Sequence, residues 1–294
     1  MKRIFVPGSD WFYIKLYLGS NYADRILIKY IKPLINSCFE KNLIEKWFFI
    51  RYNDPDSHLR IRLLLKDKKF TGQIISLFYN QIYPLITDEI IWKVQIETYN
   101  RELERYGNFL IEEAESIFFL DSECILAILE YLTRISNKDY RWVISLKMID
   151  SFLNNFHLDL LKKQELIKNI GNSFKTEFGF NKYNSKQFNI KYRTNKSKIH
   201  LCFENSMSDP VLSDLNVFIE DKSHKLNDIV QKIYTKSKEK LTIDEIITNI
   251  IPSYLHMMLN RLFISRNRIF ELVLYDFMYR YYTSEIARNK NITV

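Results

Sequence analysis

One stretch constrains the fold more than any other: Trp47-Phe48-Phe49-Ile50-Arg51-Tyr52, then Asn53-Asp54-Pro55-Asp56-Ser57, then His58-Leu59-Arg60-Ile61-Arg62. An apolar aromatic run, a cluster of turn residues and an alternating run read as two strands joined by a turn. Strand side chains have a period of two, so His58, Arg60 and Arg62 share one face while Leu59, Ile61 and Leu63 share the other. Two guanidiniums stacked along one strand repel each other unless an anion lies between them. The residues alone leave two readings. One is the solvated face of a surface hairpin. The other is a clamp for a carboxylate or phosphate, which the planar guanidinium fork grips bidentately.

The rest of the N-terminal third mixes strands and helices. Trp11 to Leu18 alternates as a strand, entered through Pro7-Gly8-Ser9-Asp10. Asn21 to Phe39 has helical spacing, with a kink or break expected at Pro33. Phe70 to Ile82 reads as a short amphipathic helix and Ile90 to Tyr99 as a further strand. Strands linked by a hairpin or by helices imply a mainly antiparallel sheet with helices packed on it.

From about Asn108 onward the pattern is almost all helix. Phe109 to Phe119 and Ser122 to Ile135 are expected as two helices, with Asp121-Ser122 capping the second. Asp139 to Leu153, Leu158 to Phe174, Ser223 to Lys238, Ile243 to Leu262 and Arg266 to Tyr282 carry further helical spacing. Residues 181–198 differ: they are rich in Lys and Asn, hold six basic residues and lack Asp and Glu. They read as an exposed loop or mobile insert with room for a short helix, either a solvated linker or a contact for an acidic peptide or RNA. The expected class is α+β, a mainly antiparallel sheet in the N-terminal third packed against a predominantly helical remainder. A single domain over residues 1–294 is expected, with that insert.

Several chemistries are disfavoured. The three cysteines, Cys38, Cys124 and Cys202, are widely spaced, and the five histidines include no pair at ligand spacing. No metal site is therefore expected, and a reducing compartment is. Phosphate-loop, dinucleotide and nucleophile-elbow motifs are missing, as are sequence-specific nucleic-acid modules, so direct nucleic-acid binding is not expected. There is no signal peptide pattern and no apolar run long enough to span a membrane, so the expected location is the cytoplasm. Lys and Arg exceed Asp and Glu by 43 − 35 = 8, a balance that favours an anionic partner.

Two clusters could carry chemistry besides the hairpin. In Glu97 to Gly107, Glu102 and Arg105 are three apart and meet on a helical turn, as a surface ion pair or as part of a site. In Tyr254 to Leu262, His256 and Asn260 share a helix face beside apolar residues. His256 is then either a satisfied core histidine or a general acid or base.

In order along the chain come Pro7-Gly8-Ser9-Asp10-Trp11, the Phe49-Ile50-Arg51-Tyr52 and His58-Leu59-Arg60-Ile61-Arg62 block, Glu102-Leu103-Glu104-Arg105-Tyr106-Gly107, Asp121-Ser122, and His256-Met257 with Asn260-Arg261. This set resembles the lantibiotic dehydratase C-terminal domain, also called the thiopeptide-type bacteriocin biosynthesis domain. Where the family commonly has Gly-Gly after Arg-Tyr, this chain has Gly107-Asn108.

The resemblance implies an elimination enzyme of a split dehydratase. It would remove glutamate from glutamylated Ser or Thr of a precursor peptide, leaving dehydroalanine or dehydrobutyrine. Arg62, Glu102, Arg105 and His256 are carried over as catalytic. Arg60 and Arg62, with Arg51 and His58 from the same block, are carried over as substrate-binding. Implied partners are the precursor peptide, engaged through an edge strand of the sheet, and a separate glutamyl-tRNA-dependent glutamylating protein; a homodimer stays open. No cofactor is implied. Alternatives on the same fold are a pyridine-forming formal [4+2] cycloaddition enzyme and a non-catalytic leader-binding scaffold. A scaffold would close the Arg60/Arg62 face with its own carboxylates, whereas an enzyme would leave it open.

Overall fold

The computed structural model describes residues 1–137, 139–204 and 208–292. By their contacts these fall into two compact units. Unit 1 is Met1–Glu130 with Asn260–Ser265; unit 2 runs from Tyr131 to Leu259 and resumes at Arg266.

Unit 1 is built on an antiparallel sheet of β2 (Trp11–Leu18), β3 (Ile44–Asn53), β4 (Ser57–Leu65) and β5 (Ile91–Ile96), in the order β3-β4-β2-β5. The expected hairpin is β3–β4, with Asn53 opposite Ser57. Across β4 and β2 the register sets Arg62 opposite Tyr13, Arg60 opposite Lys15 and His58 opposite Tyr17. On the other face Phe12, Leu16, Phe49, Ile61 and Leu63 are each 1% exposed or less. Burying each is worth about 1.5–3 kcal/mol. A slip of one residue would drive Arg60 and Arg62 into that core, so the hydrophobic pattern pins the register.

Helices α2 (Lys32–Glu40) and α3 (Thr71–Thr87) cover this apolar face, α2 beside β3 and α3 beside β5. Phe12 meets Phe78 of α3 with ring centroids 5.6 Å apart. The first helical stretch runs on through Pro33: α1 (Ala23–Ile26) leads by a π turn, Leu27–Ile31, into α2, where Pro33 lies in the first turn. That position tolerates proline, because the missing N–H falls in the first turn. Similarly, α3 extends to Thr87 with Pro84 inside it.

Three expectations about elements need correction. The strand expected over Ile90–Tyr99 is two: β5 joins the main sheet, whereas β6 (Tyr99–Asn100) pairs with β1 (Ile4–Phe5) in a separate ladder. The helices expected on either side of Asp121-Ser122 are one, α5 (Ile111–Arg134), which follows α4 (Leu103–Tyr106). Asp121 and Ser122 are fully buried rather than capping. Ser122 Oγ donates to the Phe118 carbonyl at 2.7 Å and accepts from the Phe49 N–H at 3.2 Å, so the partners that a cap would offer are replaced by tertiary ones. Finally, residues 181–198 are not a loop but belong to α8 (Lys182–Glu204). Phe188 meets Phe180 at 5.1 Å, Tyr192 meets Phe277 at 5.9 Å, and Ile199 and Cys202 are buried. This sparse stripe at three- and four-residue spacing is enough to dock a helix whose other faces are polar.

Unit 2 is helical: α6 (Tyr140–Asn155), α7 (Leu160–Glu177), α8, α9 (Pro210–Ser237), α10 (Ile243–Glu245), most of α11 (Ile251–Leu262) and α12 (Asn267–Ile292). Helix α12 packs on α7, α8 and α6, and α9 packs on α6. The whole is α+β, with strands confined to the first third. Among the described residues no helix is long and apolar enough to cross a membrane.

Candidate active site

The polar face of the unit 1 sheet carries the residues that first stood out. Arg62 is 8% exposed, and its guanidinium lies among three rings, 4.4 Å from the centroid of Tyr13, 4.8 Å from Tyr99 and 5.3 Å from Phe48. Tyr13 and Phe48 are its cross-strand neighbours. No carboxylate of the described residues forms an ion pair with it, and its Nε has no hydrogen-bond partner. Aromatic faces ease the burial of a guanidinium but do not neutralise it. The face thus holds a desolvated positive charge with one buried donor, Nε, free.

Arg60, one turn of the pleat away, stacks 3.4 Å from the Tyr52 ring. Its Nε donates to His58 Nε2 at 3.0 Å, and His58 Nδ1 lies 2.8 Å from the Asp56 carbonyl. His58 is 2% exposed, and burial pushes its pKa down, against the opposing pull of the Asp56 carbonyl. A neutral imidazole that donates from Nδ1 leaves Nε2 as an acceptor, so His58 orients Arg60. Lys15, opposite Arg60, pairs with Glu97 at 3.1 Å.

Behind Arg62 lies a buried polar wall. Tyr99 donates to Glu115 at 2.9 Å, and Arg101 grips the same carboxylate with two bonds of 2.7 Å. Arg261, fully buried, faces Asp121 at 3.8 Å. Burial pushes its pKa down to about 10, with Asp121 and Tyr106 opposing and the positive charge of Arg62 assisting. Glu102 and Arg105 pair at 3.4 Å on the exposed side of α4. Burial, and then the Glu102 charge, push the Tyr106 phenol up, while its hydrogen bond with Arg105 pulls the other way. Tyr106 thus feels the charges of Glu102, Arg105 and Arg261, and Arg261 feels that of Arg62, all within unit 1.

Arg51 is placed differently. It projects from the apolar face of β3, where its guanidinium pairs with Asp24 at 2.6 Å and bonds the Arg261 carbonyl at 2.9 Å. Its backbone N–H and C=O both bond the Asn260 side chain at 3.0 Å. The structure does not bring Arg51 together with Arg60 and Arg62.

His256 belongs to unit 2. Its Nδ1 lies 2.9 Å from Glu271, whose side chain is 1% exposed, and Tyr275 donates to the other Glu271 oxygen at 3.4 Å. A carboxylate at Nδ1 fixes the tautomer and orientation of the ring and leaves Nε2 to exchange a proton. Glu271 was not legible from the sequence. It lies on α12, fifteen residues beyond His256, in a pattern that otherwise reads as an apolar core helix.

Two clefts in unit 2, of about 540 and 710 Å³, are lined from α7, α9 and the segment around α10 and hold none of these residues. His200, Glu204 and Glu285 could together hold an ion, but Arg288 already bridges both carboxylates at 2.9 Å.

Residues 11–282 match the family described as lantibiotic biosynthesis dehydratase, C-terminal. The chain belongs to this family. The chain is 28% identical over 293 residues to the nisin biosynthesis protein NisB of Lactococcus lactis subsp. lactis, covering 97% of this chain and 26% of NisB. It is 26% identical over 261 residues to the epidermin biosynthesis protein EpiB of Staphylococcus epidermidis, covering 87% of this chain and 24% of EpiB. This lantibiotic dehydratase family member thus spans about a quarter of those relatives. Its fold is that of the tRNA-dependent lantibiotic dehydratase MibB from Microbispora sp. 107891, with TM-score 0.75, 15% identity and coverage of 97% of this chain and 29% of MibB. It is also that of the pyridine synthase TbtD from thiomuracin biosynthesis, with TM-score 0.61, 11% identity and coverage of 94% and 99%.

Proposed function

We propose that this family member eliminates glutamate from glutamylated Ser or Thr side chains of a precursor peptide, leaving dehydroalanine or dehydrobutyrine. A separate glutamyl-tRNA-dependent protein would supply the ester. The observation that carries this reading is Arg62: a buried guanidinium, without a carboxylate partner, on the strand face that also presents Arg60. A scaffold would have closed that face with its own acids, yet the nearby Glu97 pairs with Lys15.

In this reaction the Cα–H bond breaks, its electron pair forms the Cα=Cβ bond, and the Cβ–O bond breaks to release glutamate as a carboxylate. Arg60 and Arg62 hold the carboxylates of the leaving glutamyl group bidentately. Arg105, oriented by Glu102, supports negative charge on the enolate or the ester oxygen. His256, oriented by Glu271, takes or returns the proton through Nε2. An imidazole is a weak base for an amide Cα–H, so charge stabilisation by the arginines contributes much of the rate.

Mixing the protein with a Ser-glutamylated peptide and following mass tests this reading. Loss of glutamic acid, to a peptide one water lighter than the unmodified form, is expected; an unchanged ester overturns it. Near-complete mutual coverage with TbtD favours one second reading, formal [4+2] cycloaddition. A peptide bearing two dehydroalanines separates the two, because only a pyridine-forming enzyme consumes it.

A further inference from the structure

We propose that β5 and α3 form a two-fold interface with a second copy of the chain, joining the two β5 strands into one continuous antiparallel sheet. The two outer edges of the unit 1 sheet are treated differently. That of β3 is closed: the Phe49 N–H bonds Ser122, and the N–H and C=O of Arg51 bond Asn260. That of β5 is open.

The Glu97 N–H bonds the Tyr13 carbonyl, so alternation directs the backbone groups of Lys93 and Gln95 toward β2 as well. The N–H and C=O of Val94 and Ile96 then point outward, and no described residue meets them. Trp92, Val94 and Ile96 are each 37% exposed or more. An open edge with exposed apolar side chains is a template for another strand.

Helix α3 adds a second, independent observation. Its 17 residues include no Asp, Glu, Lys or Arg. Ile75, Tyr79, Tyr83 and Ile86 fall at helical spacing along it, each 40% exposed or more, and the rings of Tyr79 and Tyr83 pack at 5.0 Å. Exposed helices usually carry charge, and contiguous apolar surface of this kind marks an interface. Across a two-fold axis each patch meets itself, so any charge near the axis would face its own sign. A charge-free helix avoids that penalty.

The strand sequence fits the same symmetry. Antiparallel self-pairing centred on Gln95 sets Val94 opposite the second copy's Ile96, and these are the residues whose backbone groups are free to exchange bonds. It also sets Lys93 opposite the second copy's Glu97, whose carboxylate already meets Lys15 within its own chain, so no like charges face each other across the axis. Gln95 meets its own copy on the axis as a non-hydrogen-bonded pair, where Cα atoms approach to about 4.5 Å.

Light scattering and sedimentation of the full chain at micromolar concentration test this. The mass of two chains is expected. Val94→Pro removes an outward N–H without touching the β2 ladder and is expected to give the mass of one chain. Tyr79→Lys with Tyr83→Lys, both on exposed helix positions, is expected to do the same. Gln95→Cys is expected to form an inter-chain disulfide on mild oxidation. A wild-type chain that stays monomeric, a two-chain species that survives both sets of changes, or one that Gln95→Cys fails to cross-link, overturns the proposal.

Discussion

Arg60 Nε donates to His58 Nε2 at 3.0 Å, two residues along the same face of β4. The bond requires a neutral imidazole, and burial supplies one by holding the His58 pKa below its ordinary value of 6.5. Below about 6.5 the unfolded chain binds a proton that the folded chain excludes. The fold is therefore at full strength above that pH and loses stability as pH falls toward the lowered folded pKa. His58 ring resonances are expected to titrate below 6.5, and His58→Gln is expected to flatten the acid limb of the Tm–pH profile. Titration at or above 6.5 would contradict the assignment of His58 as an acceptor.

Arg62 is expected to separate stability from activity. A buried cation without a counter-charge costs stability, so Arg62→Met should leave Tm equal or higher. The same change should lower elimination by at least about 10²-fold, the scale of a lost charge-assisted bond in the transition state. Denaturation and turnover measured on one preparation check both halves.

Arg51 is expected to behave in the opposite way. Arg51→Met removes the cation that faces the largely covered Asp24 carboxylate and is expected to destabilise unit 1 by about 3 kcal/mol. Adding Asp24→Leu should restore most of the loss, since the two groups form one pair. A double-mutant cycle by denaturant unfolding reads the coupling.

Glu271 positions His256, so Glu271→Gln is expected to lower kcat about 10–100-fold with KM little changed. Glu271→Asp, which keeps a carboxylate to face Nδ1, should recover part of the lost rate. A lowered Tm with kcat unchanged in Glu271→Gln would reduce Glu271 to a packing role.

Much of unit 1 was legible because period-two patterning is local. The hairpin and the shared face of His58, Arg60 and Arg62 follow from residues 47–63 alone, whereas the register of the pairing came with the structure. What makes Arg62 a candidate is not local: its ring partners Tyr13 and Tyr99 come from other strands, and its lack of a carboxylate partner among the described residues depends on the whole sheet. Asp121 and Ser122 imitate a helix cap because their tertiary partners, Arg261 and Phe49, are distant in sequence. The helical character of α8 was hidden by its Lys and Asn content, since docking uses only a narrow stripe. Arg51 shares its block with Arg60 but has the opposite parity, and only its pairing with Asp24 and Asn260 fixes its surroundings. Glu271 was masked by an apolar helix pattern.

The most direct test of glutamate elimination at the Arg60/Arg62 clamp compares two esters of one Ser-containing peptide, one glutamyl and one glutaminyl, by mass under identical conditions. The glutaminyl ester lacks the side-chain carboxylate offered to the clamp. Dehydroalanine formation from the glutamyl ester, with kcat/KM at least about 10²-fold above the glutaminyl ester and that preference lost in Arg62→Met, is the predicted result. Equal rates for the two esters, or no dehydroalanine from either, would contradict it.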